Sequence, residues 1–344
     1  MNALRSAFPR PVIFRLSLIL GFILVTAHAA ECCTIPVFRY ALDRWEADKF
    51  RLLLPAAASG DAVLQDVLRP LRANGKANLD IVTSRDPAQS EAILLGSKEG
   101  LPVWSGDMNP KVLAELLDSP ARREILKQTL AGDSMIWVIV ESGSPLDAAE
   151  AERLEKRLRF LEQVAALPIQ DPNDPDSQLG PGPPLKLKFT TLRLRLDDPA
   201  EKLLVRMLAG PTGEELAGQS FAAVVFGRGR VLGAWPLKLL DDATIEDACM
   251  FLVGRCSCRV KGQNPGWDLL MNVDWEKSLA AMGQSEGGVE DQRPVKASHE
   301  PEVVTISSVE PAASTQEEPA NKQWLLGVGL VALAAVILLL RKGR

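Results

Sequence analysis

Five cysteines and almost no histidine bound the chemistry open to this chain. The cysteines are Cys32, Cys33, Cys249, Cys256 and Cys258, so four of them flank the central region. An adjacent pair and a Cys-x-Cys pair do not match the C-x2–4-C spacing of structural zinc sites. Two readings stay open for Cys32, Cys33, Cys256 and Cys258. They form disulfides that tie an N-terminal arm to the segment after the last helix, or they form a thiol site that exchanges disulfides or holds a soft cation such as Cu(I). Cys249 shares the apolar face of an expected helix with Ile245 and Leu252 and reads as a buried hydrophobe. The histidines are His28, in the N-terminal apolar region, and His299, in a polar stretch. Ser-His-Asp and Cys-His catalysis and histidine-ligated metals are therefore excluded from the region between. No catalytic residue, cofactor or metal is expected.

Both ends of the chain are apolar. Arg5, Arg10 and Arg15 precede LSLILGFILVTA, and Ala27-His28-Ala29 is a small-x-small cleavage site. Residues 1–29 read as a signal peptide or, uncleaved, as an anchor. Glu31 directly before Cys32 argues against a lipoprotein. Residues 324–340 carry no charge and cover roughly 25 Å at helical rise, close to a hydrocarbon core. Trp324 suits one interface, and Arg341, Lys342 and Arg344 suit the cytoplasmic one. A transmembrane helix over 323–341 and a basic tail over 342–344 are expected. The implied place is a bacterial inner membrane crossed once, with the ectodomain in the periplasm or outside.

Setting aside the six basic residues of the two ends leaves 33 basic against 44 acidic residues, a net charge of −11. Such a surface repels phosphate backbones, so no nucleic-acid partner is expected. Residues 283–322 hold eight acidic and three basic residues with scattered Pro and Ser, and read as a disordered linker. A flexible linker of that length reaches roughly 35 Å.

Elements are clearest over 133–267. Residues 135–140 form a short apolar run fit for a strand buried on both faces. Ser144 and Pro145 then open a helix whose buried stripe is Leu154, Leu158, Leu161 and Ala165, and Pro168 ends it. In 185–196, Leu185, Leu187 and Phe189 share one parity while Leu192, Leu194 and Leu196 share the other, which predicts a β-bulge or break near Thr190-Thr191. Asp198-Pro199 starts a helix that Gly210 stops. Residues 221–226 and 231–235 pair as a hairpin across Gly227-Arg228-Gly229-Arg230, whose arginines are expected in solvent. Asp241 or Asp242 opens a last helix that Gly254 closes.

This β-α-β-α-β-β-α order resembles the thioredoxin-like fold, a central mixed sheet with helices on both faces. In redox-active members a Cys-x-x-Cys pair lies between the first strand and its helix. Here that position reads Glu141-Ser142-Gly143-Ser144-Pro145. The resemblance thus implies the fold without a low-pKa thiolate at the helix N-terminus. Residues 30–132 repeat the theme more faintly. Strands are expected at 50–54, 79–83 and 92–95, and a helix at 61–71. Pro102 lies ahead of a further strand, where thioredoxin-like domains place a cis-proline. Asn109-Pro110 and Ser119-Pro120 cap two helices, and Gly132 ends the second. Two tandem thioredoxin-like modules, 30–132 and 133–282, are expected, and a single larger α/β domain is the competing layout.

Two segments mix cysteines, cations and aromatics: 35–45, with Arg39, Tyr40 and Trp45, and 256–270, with Lys261, Asn264 and Trp267. Both resemble segments of bacterial envelope proteins. Either they meet and form a partner-binding face, or an N-terminal arm docks on a C-terminal turn. The expected function is a membrane-anchored, non-enzymatic binding or scaffold protein that engages another envelope protein. A thiol-disulfide or Cu(I)-handling protein and an accessory subunit of a membrane transport complex are the alternatives.

Overall fold

The computed structural model describes residues 34–285 except 75, 99, 171–172 and 257–259. Cys32, Cys33, Cys258, the signal segment, the span 323–341 and nearly all of the linker lie outside the described residues. Among the described residues no helix is long and apolar enough to cross a membrane.

The chain builds two mixed sheets flanked by helices. In the first, β1 (Phe50–Leu54) lies parallel to β2 (Leu79–Thr83) and antiparallel to β3 (Ala92–Leu95), and β3 pairs antiparallel with β4 (Pro102–Gly106). In the second, β5 (Met135–Glu141) lies parallel to β6 (Phe189–Arg195) and antiparallel to β7 (Phe221–Phe226). The antiparallel series continues through β8 (Arg230–Pro236) and the short β9 (Trp267–Asp268). The spatial orders are β2-β1-β3-β4 and β6-β5-β7-β8-β9.

A parallel pair needs a crossover, and a helix supplies it in both sheets. Counting α1 as the N-terminal helix Val37–Arg44, α2 (Ala62–Asn74) joins β1 to β2. Next come α3 (Pro110–Leu117) and α4 (Pro120–Leu130), which lead into the second sheet, where α5 (Asp147–Val164) joins β5 to β6. There α6 (Lys202–Ala209) also separates β6 from β7, whereas no helix separates β2 from β3. α7 (Asp242–Val253) follows β8, and α8 (Trp275–Ser285) closes the described chain.

Local chemistry sets several boundaries. The Asn109 side chain accepts from the Lys111 and Val112 N–H groups, both at 3.0 Å, and so caps α3. Asp241 accepts from the Thr244 N–H at 2.8 Å and opens α7, while Gly254 follows its last turn. α5 begins at Asp147, three residues past the expected Ser144, whose hydroxyl accepts from the Leu146 N–H. α8 extends into the stretch from 283 whose composition reads as linker. Its Trp275 and Leu279 are buried, and it packs on α4. Pro102 opens β4, and no peptide bond among the described residues is cis, so a cis-proline is not found there.

The expected break near Thr190-Thr191 is absent. The β5–β6 register runs without interruption from Met135↔Phe189 to Glu141↔Arg195. The second sheet is covered on both faces, so both parities find apolar partners. Leu185, Leu187 and Phe189 meet Met135, Trp137 and Ile139 in a core with α5 and α7. Leu192, Leu194 and Leu196 join Ile136, Val138 and Val140 in a second core, which also contains Phe50, Leu52 and Leu54 of the first sheet. A switch of parity signals a slip only where one face is wet.

Candidate functional site

Residues 142–146 join β5 to α5. The Asp147 carboxylate organises this turn. One oxygen accepts from the Gly143 and Ser144 N–H groups at 2.9 and 3.0 Å, and the other from the Ser220 hydroxyl at 2.6 Å. Ser142 donates its N–H to the Ser220 oxygen at 3.0 Å, and the two hydroxyls are 2.8 Å apart. Gly143 takes a positive φ of 90°, which turns the backbone N–H groups onto the carboxylate. Burial pushes the Asp147 carboxyl up, but the bonds from Ser220 and from backbone N–H groups outweigh it and hold the group below its ordinary value. The turn before α5 therefore holds the Asp147 carboxylate in a closed set of hydrogen bonds, which makes it a weak proton acceptor.

The two unusual segments do meet. The Val37 N–H donates to the Gly254 carbonyl and the Cys256 N–H to the Ile35 carbonyl, both at 3.0 Å, and Pro36 bridges Arg255. Cys256 is buried. Arg39 pairs with Asp43 at 3.0 Å and donates to the Gly180 carbonyl at 2.8 Å and to the Pro183 carbonyl, so it is buried against the 178–183 loop. Trp45 is buried edge-on between Tyr40 and Phe226, each centroid 6.3 Å away. Trp267 is buried and donates its indole N–H to the Met207 carbonyl at 2.7 Å. Tyr40, Lys261 and Asn264 are partly exposed.

The Gly227–Arg230 turn departs most from expectation, because its arginines are buried rather than solvated. Arg230, 5% exposed, donates to the carbonyls of Asn264, Pro265 and Gly266 at 3.0–3.2 Å and to Asp268 at 3.0 Å, with its guanidinium 5.7 Å over the Trp45 ring. Arg228 donates to the Leu42 carbonyl at 2.8 Å and pairs with Glu276 at 2.8 Å. The glycines allow this approach. A Cβ on Gly227 would lie 2.8 Å from the Ala41 Cβ, and one on Gly229 would lie 2.9 Å from Met271. Asp268, 2% exposed, also accepts from Lys261, which reaches Asp48 at 2.9 Å. Burial pushes the Asp268 carboxyl up, and Lys261 opposes it. A Gly-Arg-Gly-Arg turn has the composition of an exposed hairpin, which is why the sequence points Arg228 and Arg230 to solvent, and nothing local marks Asp268 as a partner of Arg230.

Between the sheets lies a cleft of about 590 Å³, walled by Phe50, Val103, Val205, Leu216, Phe221 and Trp267. Lys98, Lys202 and Arg206 also line it. These residues come from β1, the β3–β4 loop, β4, α6, the turn after α6, β7 and β9, and no single stretch of sequence signals the site. Among the described residues no group of three His, Cys, Asp or Glu side chains is placed to hold a metal. Comparison with protein-family models, with curated proteins and with solved structures finds no match.

Proposed function

We propose that this chain is a non-enzymatic binding or scaffold protein, built from two redox-inactive thioredoxin-like modules and held outside a membrane by its C-terminal apolar segment. The strand orders support the modular reading. Each sheet begins with a parallel pair joined by a helix, and its third and fourth strands add antiparallel on the side of the first. The observation that carries the functional reading is the Asp147 carboxylate bound to Gly143, Ser144 and Ser220 where a thiol pair would work. The expected partners are the membrane and another envelope protein. Full-length protein in detergent should not reduce insulin or exchange with glutathione disulfide above background. Thiol turnover that disappears in Cys256→Ser with Cys258→Ser would reject this reading.

One observation favours a second reading. The bond from the Cys256 N–H to the Ile35 carbonyl sets Cys256 beside the arm that begins just after Cys32 and Cys33. A thiol-disulfide or Cu(I) site built from these cysteines is the alternative. Mass mapping without reductant decides between them, since a stable cross-link from Cys32 or Cys33 to Cys256 or Cys258 marks a structural staple.

A further inference from the structure

We infer that the cleft between the two sheets binds a single-chain amphiphile with an anionic head. About 590 Å³ falls within the ~300–1,000 Å³ typical of small-molecule sites. The wall is preformed. Gly210, at φ 51°, brings its backbone so close to Trp267 that a Cβ there would lie 2.2 Å from the indole. The bond from that indole to the Met207 carbonyl fixes the ring. Phe50, Val205, Leu216 and Phe221 complete an apolar surface, and Leu101 stands exposed at its edge.

The cations distinguish this cleft from a plain greasy groove. Lys98, Lys202 and Arg206 line it, and among the described residues none of the three pairs with a carboxylate. Arg206 donates to the Val103 carbonyl at 3.2 Å and keeps further donors. Of the two acids in the lining, Asp268 is held by Arg230 and Lys261, which leaves Glu214. A local positive excess in a chain of net charge −5 selects anions. A compact anion would match the cations and leave the apolar wall wet. A neutral lipid would cover the wall and leave the cations unmatched. A carboxylate or phosphate head on one acyl chain does both.

The test is photo-crosslinking of a diazirine-bearing palmitate to the full chain in phosphatidylcholine nanodiscs. Labelling should map to peptides containing Val205, Leu216 or Trp267. Excess palmitate should suppress it, and monoolein should need about tenfold more, the factor expected for one lost charged contact. Lysophosphatidylglycerol tells the head groups apart. If it competes as palmitate does, any anionic head serves, and if it does not, the site takes a carboxylate. Lys202→Glu with Arg206→Glu changes two exposed side chains, so the fold should persist by circular dichroism while labelling falls about tenfold or more. Labelling confined to residues 323–341, labelling unchanged by the charge reversal, or equal competition by monoolein would overturn the inference.

Discussion

Arg230→Met tests the buried turn directly. The substitution keeps an unbranched side chain over Trp45 but removes the ion pair to Asp268 and the bonds to three carbonyls of 264–266. Asp268 is then a buried carboxylate left to Lys261 and the Asp48 N–H. Removing one partner of a buried ion pair costs about 3–5 kcal/mol, against ~0–1 kcal/mol for a solvated arginine. For a folded region of this size that is a fall in Tm of roughly 6–20 °C. The pH dependence adds a second readout. Burial raises the folded value of Asp268, so its contribution to stability is fully present below the unfolded value and is lost as pH rises through the folded value. Loss of Arg230 raises it further. The deficit of Arg230→Met should therefore be largest at neutral pH and narrow as the solution is acidified. Urea unfolding followed by tryptophan fluorescence at pH 7.5 and pH 4.5 measures both. A loss under 1 kcal/mol at pH 7.5, or a deficit that widens in acid, would refute the reasoning.

Asp147→Ala should cost about 1–3 kcal/mol at neutral pH, because it leaves the Gly143, Ser144 and Ser220 donors without their acceptor. Because the folded value of Asp147 is lowered, its contribution is present above the ordinary carboxylate value and is lost as pH falls through the folded one, so the parent and variant stability curves should converge in acid. Burial pushes the Cys249 thiol up to about 12, so iodoacetamide at pH 8 should leave it unmodified until the protein unfolds, and rapid labelling of the native state would contradict its placement on the buried face of α7. Gly210→Ala combines a backbone conformation that costs ~1–3 kcal/mol for a non-glycine residue with displacement of the Trp267 indole. It should lower Tm and weaken near-ultraviolet circular dichroism, and an unchanged spectrum would place Trp267 elsewhere.

The sequence was most legible where one local cause decides the structure. The apolar run of β5, the Asn109 and Asp241 caps and the stop at Gly254 each follow from a few adjacent residues. It was least legible where a distant partner decides. The parity change at Thr190-Thr191 looked like a slip because the sequence does not say that a second sheet covers the other face of β6. Arg228 and Arg230 looked solvated because the carbonyls that satisfy them belong to α1 and to 264–266, far away in the chain. The helix Trp275–Ser285 carries no strong local signal, because Trp275 and Leu279 supply only a short apolar stripe.

The buried turn and the cleft share one short strand, β9, whose Trp267 and Asp268 both line the cleft. Adjacent residues of a strand face opposite ways, so in β9 Trp267 turns toward α6 while Asp268 turns toward Arg230 and Lys261. Arg228 extends the same network to α1 and to Glu276 of α8. The N-terminal arm and the hairpin are thus fixed to one another through buried guanidiniums that have few alternative partners, while α8 reaches them only through Glu276, whose side chain is 75% exposed. Apolar packing alone tolerates such segments sliding, whereas a guanidinium with carbonyls on several sides accepts one arrangement. Arg230→Met should accordingly disturb more than stability. If β9 loses its hold on Asp268, Trp267 loses its seat on Gly210, and labelling in the cleft should fall although no residue of the apolar wall has been changed.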